Sequence, residues 1–188
     1  ALCVHRHLGN QGHPVLLLTG PEPDSQWRGF ASAVTQLSLQ LGVYQMVAIG
    51  AYPFASPHTR AARLSCSSPS ADVIANVPYL KNSVDVPAGM SAVLEHALTE
   101  AGIASLGLWV QVPHYISAMG FPAASVSLLK GVREVTGVTI DDAELEREAM
   151  TQRNRIEQLV VQRLQLAHHR LVLVVAADQL LDAVPLCH

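Results

Sequence analysis

Short apolar runs alternate along the chain with longer stretches in which apolar residues return every three or four positions. Residues 15–19, Val-Leu-Leu-Leu-Thr, sit between Pro14 and Gly20 and predict a strand buried on both faces. Over residues 25–41, Trp27, Phe30, Ala31, Val34, Leu37, Leu39 and Leu41 mostly follow a helical period, and Gly42 supplies the stop. Residues 44–49, closed by Gly50, read as a second buried strand. The opening third therefore predicts a parallel strand–helix–strand unit.

Between residues 51 and 87 five prolines (53, 57, 69, 78 and 87) break a Ser/Ala-rich stretch, leaving room for a short strand at 62–66 and one or two helical turns at 71–77. A helix is expected at 88–101, with Met90, Val93, Leu94, Ala97 and Leu98 on one face and Gly102 ending it. A strand follows at 105–112, its apolar run interrupted at Gly107 and Gln111. Another helix spans about 123–135 and closes at Gly137. The last long helix starts near Asp141, which is placed as N-cap with Glu144 three residues on. Leu145, Ala149, Ile156, Leu159, Val160 and Leu164 share its apolar side, and the remainder is charged. That pattern suits a solvated surface helix or a helix that meets a partner. Residues 171–177 form the longest apolar run and read as a strand followed by a helical turn.

Composition narrows the class. In 188 residues, 49% hydrophobic content is enough for a real core, so disorder is excluded. Charged residues are 14%, against roughly 25% in an average soluble domain. A net charge of −3 gives no basic footprint, so no nucleic-acid partner is expected. The apolar run 171–177 is far short of the ~20 residues needed to cross a membrane, so no membrane association is expected either. Three widely spaced cysteines, Cys3, Cys66 and Cys187, form no C-x-x-C pair; they point to a reducing compartment and to structural or incidental thiols.

Three loops follow predicted strands, where ligands sit in open α/β sheets. In Gly20-Pro-Glu-Pro-Asp24, either Asp24 or Ser25 is placed to cap the next helix, and Glu22 is left either as turn chemistry or as a pocket carboxylate. His58, Thr59 and Arg60 stand in consecutive positions. Together they offer a tunable proton, a hydroxyl and a guanidinium fork suited to an anion, or they are simply a polar loop. His114 and Tyr115 follow the 105–112 strand, where His114 either shares a crevice with His58 or is a hydrogen-bonded structural residue. His5-x-His7 and His168-His169 lack a third ligand at a telling spacing, so no metal site is expected. Dinucleotide, P-loop and hydrolase-elbow motifs are missing, and no cofactor is expected.

Read in order, Leu16-Leu-Leu-Thr-Gly-Pro-Glu-Pro-Asp24 with Trp27, then Pro57-His-Thr-Arg60, then Leu108-Trp-Val-Gln-Val-Pro-His-Tyr115 resemble the PAC2 (proteasome assembly chaperone 2) family in its actinobacterial branch. The resemblance covers roughly residues 14–162. It implies a three-layer α/β/α fold with a mostly parallel sheet of the nucleoside-phosphorylase type, and a self-associating cytoplasmic protein. It implies protein partners, proteasome subunits among them, rather than catalysis. It supplies no catalytic residues, so Glu22, Asp24, His58, Thr59, Arg60, His114 and Tyr115 stand as ligand-binding candidates only. The alternative is a nucleoside- or phosphate-like small molecule, bound or hydrolysed at the strand ends. Family members carry a long part before the Gly-Pro-Glu-Pro-Asp strand, with strands of its own. The expected layout is thus an incomplete α/β domain at 14–165, atypical ends at 1–13 and 166–188, and a chain that is a fragment.

Overall fold

The protein is described by a computed structural model over residues 3–8, 14–81, 89–138 and 140–181. Six strands and five helices follow in the order β1 (Cys3–Leu8), β2 (Pro14–Thr19), α1 (Trp27–Gln40), β3 (Gln45–Phe54), β4 (Leu64–Ser67), α2 (Ala71–Ala75), β5 (Leu80–Lys81), α3 (Met90–Glu100), β6 (Ala104–Pro113), α4 (Pro122–Thr136) and α5 (Ala143–Leu181). A 3-10 turn, His114–Ile116, links β6 to α4. Gly42, Gly102 and Gly137, placed after three of the expected helices, all adopt positive φ, the left-handed geometry that lets the chain leave a helix without a Cβ clash.

Four strands form a mixed, mostly parallel sheet in the order β3-β6-β4-β5. β3 runs parallel to β6 over ten residue pairs, β5 runs parallel to β4, and β4 meets β6 antiparallel. Parallel neighbours need a crossover, and α3 provides the one that enters β6. Strand pleating sends alternate residues of β6 to opposite faces. Leu106 and Leu108 pack with Cys66, Val73, Leu128 and Val132, while Val110 and Val112 pack with Leu64, Ala124 and Phe121, so α2 and α4 cover this face. Ser105, Gly107, Trp109 and Gln111 take the other face, where α3 lies against β6 and β3, and α1 packs on α3. Helices on both sides of a sheet give the expected α/β architecture.

The strand–helix–strand unit of the opening third does not form as expected. β2 pairs antiparallel with β1 in a separate two-stranded sheet, from Cys3↔Thr19 to Leu8↔Pro14, and Leu17 and Leu18 are exposed. An apolar run specifies a strand but not its neighbour, and here the nearest complementary segment in sequence supplies it. β3 therefore closes one side of the four-stranded sheet as an edge, with Ile49 57% exposed.

The expected strand at 171–177 is helical, being part of α5. A short run rich in Leu and Val is ambiguous by period alone, and extending an existing helix avoids the cost of a new nucleus. The same helix starts one residue later than the cap assignment: Asp141 Oδ1 accepts from the amide of Ala143 at 3.1 Å, and the first main-chain bond runs from Glu146 N to Asp142 O. The chain divides into two compact units, residues 1–149 and 150–188, and the described part of the second is the continuation of α5. Met150, Leu159, Val160 and Val161 are exposed on it. No described helix is long and apolar enough to cross a membrane. Residues 182–185 of the expected terminal turn, and Cys187, lie outside the described residues.

Candidate functional site

The Gly20–Asp24 loop turns out to be a strap across the start of α3. Glu22 Oε1 accepts from the amide of Met90, the first residue of α3, at 2.6 Å. A side chain on Gly89 would meet that same oxygen at 2.7 Å, which explains the glycine. A carboxylate at a helix N-terminus satisfies one orphan amide and complements the dipole. Trp27 Nε1 donates to Pro23 O at 2.7 Å and pins the loop to α1. The N-cap of α1 is Gln26, in left-handed conformation and without a side-chain cap bond, so neither Asp24 nor Ser25 plays that part.

His58 and Tyr115 meet at the carboxyl ends of the parallel pair β3 and β6. The Tyr115 hydroxyl accepts from the amide of His58 and also bonds His58 Nδ1, each at 2.7 Å. If the phenol donates its proton to Nδ1, the ring proton sits on Nε2, a solvent-excluded atom with no protein partner. The His114 ring also meets Tyr115 edge-on, with centroids 5.5 Å apart, against 6.0 Å for the His58 ring. Both histidines thus contact the one phenol ring. Thr59 and Arg60 are exposed, in a turn closed by Arg60 N to Pro57 O at 3.2 Å.

Two grooves accompany these loops. One, of about 260 Å3, runs between β3, β6 and α4 and is lined by Ala51, Pro53, Val112, Met119, Phe121 and Leu128. The other, of about 420 Å3, separates α1 from α3 and is lined by Arg28, Ser32, Thr35, His96 and Glu100 among others. The seven candidates from the sequence line neither. The groove at the strand ends is apolar and suits aliphatic surface rather than acid–base work. Among the described residues no group of three or more His, Cys, Asp or Glu is arranged for a metal.

The densest polar chemistry lies where the sequence reading placed none, on the α3-facing side of the sheet. Trp109 Nε1 donates to Ser67 Oγ at 3.1 Å, and Ser67 Oγ donates to Glu95 Oε2 at 3.0 Å. A second chain runs from Gln111 Nε2 to the Tyr52 hydroxyl at 3.1 Å, then to Ser65 Oγ at 3.3 Å, and from Ser65 to the Trp109 carbonyl at 3.4 Å. Ser65, Glu95 and Gln111 are all at least 95% buried. Gly50 and Gly107 make room for it: a Cβ on Gly50 would lie 2.4 Å from the Trp109 ring, and one on Gly107 would lie 2.6 Å from both Glu95 Oε1 and Ser67 Oγ. Burial pushes the Glu95 carboxyl above the usual range, against the opposing influence of the Ser67 hydrogen bond and the His96 charge. The signal was visible as the alternation of Ser105, Gly107, Trp109 and Gln111 with Leu106, Leu108, Val110 and Val112. On the opposite face burial pushes the Cys66 thiol up, which makes it a poor nucleophile.

Residues 2–160 match the PAC2 family profile. The chain is similar to a Mycobacterium tuberculosis protein of unknown function, with 31% identity and a TM-score of 0.79 over 97% of this chain and 62% of that one. It is similar to a PAC2 family protein of Streptomyces avermitilis, with 31% identity and a TM-score of 0.75 over 84% and 67%. It is also similar to a Mycobacterium tuberculosis proteasome-assembly chaperone homologue, with 28% identity and a TM-score of 0.77 over 84% and 67%. The chain thus spans 62–67% of the length of these proteins. No curated protein matches it.

Proposed function

Because the chain belongs to the PAC2 family, we propose that it works as a non-catalytic, self-associating protein-interaction factor of the cytoplasm, with proteasome subunits as its partner class. The observation that carries this reading is the 28% identity, over 84% of the chain, to a proteasome-assembly chaperone homologue. The character of the surface supports it. Along the edge strand β3, Ile49 and Phe54 are exposed, and Met119 is exposed beside the apolar groove. Apolar side chains next to a strand edge suit contact with another polypeptide. Two of the ligand candidates carry hydrogen bonds within the fold: Glu22 accepts from the Met90 amide, and Tyr115 accepts from the His58 amide.

The test is a pull-down of purified 20S core particles, and separately of their free α-subunits, by the tagged protein. Retention of α-subunits well above a tag-only control is expected. Retention at control level for both samples overturns the proteasome assignment.

A further inference from the structure

Glu95 is an acid in an unusual place. It lies on the sheet-facing side of α3, 3% exposed, with one carboxylate oxygen held by Ser67 and the other without a partner. That second oxygen occupies the space above Gly107 where any other residue would place its Cβ. Among the described residues the positive charge that acts on it is that of His96, its neighbour on α3, which works with the Ser67 hydroxyl against the effect of burial. Its direct neighbours on the sheet are Ser67 and Gly107. The rest of that sheet face carries Ser105, Trp109 and Gln111 of β6, Ser65 of β4, and Gly50 and Tyr52 of β3, of which the Tyr52 phenol alone titrates and is bonded to Gln111 and Ser65. On α3 itself His96 and Glu100 line the groove toward α1, together with Arg28 of that helix. At the start of α3 Glu22 is occupied by the Met90 amide.

A neutral carboxyl with one oxygen unpartnered bears there the cost of one unpaired polar group. A carboxylate loses much more, because burial penalises the charge and the single Ser67 donor and the His96 charge offset only part of that penalty. We propose that Glu95 is a pH-sensitive latch, whose neutral form holds α3 against the polar face of the sheet and whose ionised form lets the helix open. α1 packs on α3, so both helices would move together and uncover Ser67, Trp109 and Gln111.

The sign follows from linkage. The closed state binds the Glu95 proton more tightly than the open state, so closure is fully favoured below the ordinary glutamate range and weakens as pH rises through the closed-state pKa. The opening constant should climb about tenfold per pH unit between those two pKa values and then level off. The experiment is hydrogen exchange of the α3 amides in the full chain from pH 4 to 9 at constant salt, with each rate divided by the intrinsic chemical rate at that pH. Wild type should show the climb and the plateau, and Glu95→Gln, which keeps shape and the acceptor for Ser67, should be flat. A flat wild-type profile, or a Glu95→Gln profile with the wild-type slope, overturns the latch. If Glu95→Gln does not fold, Ser67→Ala decides. Ser67 donates to the ionised form, so its loss must move the plateau to higher pH, and an unmoved plateau overturns the proposal.

Discussion

The two faces of the four-stranded sheet are built from the same strands and differ in almost everything else. Toward α4, β6 presents Leu106, Leu108, Val110 and Val112, which pack against apolar side chains such as Val73, Ala124, Leu128 and Val132 through contacts of no fixed direction. Toward α3 the intervening positions are Ser105, Gly107, Trp109 and Gln111, and their neighbours are joined by directional bonds to Glu95, Ser67, Tyr52 and Ser65. The apolar face gains its stability from area removed from water and tolerates small shifts. The polar face depends on every partner being in place, since a buried group without a partner costs about as much as several satisfied ones contribute. One side of the sheet holds the protein together; the other makes α3 sensitive to its surroundings.

The largest effect should come from the apolar face. Leu108 is fully buried between β4, α2 and α4, and Leu108→Ala should cost about 2–5 kcal/mol in urea unfolding. A cost within the noise would mean that this face is not the core. Next comes Gly107→Ala on the polar face, whose new methyl would lie 2.6 Å from Ser67 Oγ and 2.8 Å from Trp109 Nε1. It should cost about 1–3 kcal/mol through overpacking and change Trp109 fluorescence. An unchanged spectrum at full stability would show the polar face to be loosely packed. Smallest should be Tyr115→Phe at the half-exposed strand ends. It removes both bonds to His58 for about 0.5–1.5 kcal/mol, with exchange of the His58 amide rising while α3 stays unaffected. Co-loosening of α3 would join the strand-end clasp to the polar face and blur the comparison.

Much of the architecture was legible in the sequence because periodicity is a local property. The helices at α1, α3 and α4 followed from apolar spacing and from glycines that do adopt the left-handed turn at 42, 102 and 137. The strand β6 followed from an apolar run, and the PAC2 resemblance from three motifs in order. The roles of those motifs were less legible. Glu22 is 68 residues from Met90 in sequence, so no local rule could turn a loop carboxylate into a cap for a distant helix. His58 and Tyr115, 57 residues apart, meet because β3 and β6 are parallel neighbours in matching register. Glu95 was hidden for a similar reason: a single acid in a helix reads as solvent-facing until the helix has a sheet beneath it.

By itself the sequence determined the family, the alternation of helices and strands, and the residues rich enough in apolar surface to make a core. These depend on side-chain type and spacing along a single stretch of chain. Only the tertiary structure decided that β2 pairs with β1 and leaves β3 at an edge, that 171–177 continues a helix, that Glu22 bonds the first amide of α3, and that Tyr115 bonds His58. It alone placed a carboxyl under α3 with one bonded oxygen and one unmatched. Pairing, burial and the supply of hydrogen-bond partners are properties of segments brought together from far apart, and those contacts exist only once the chain has folded.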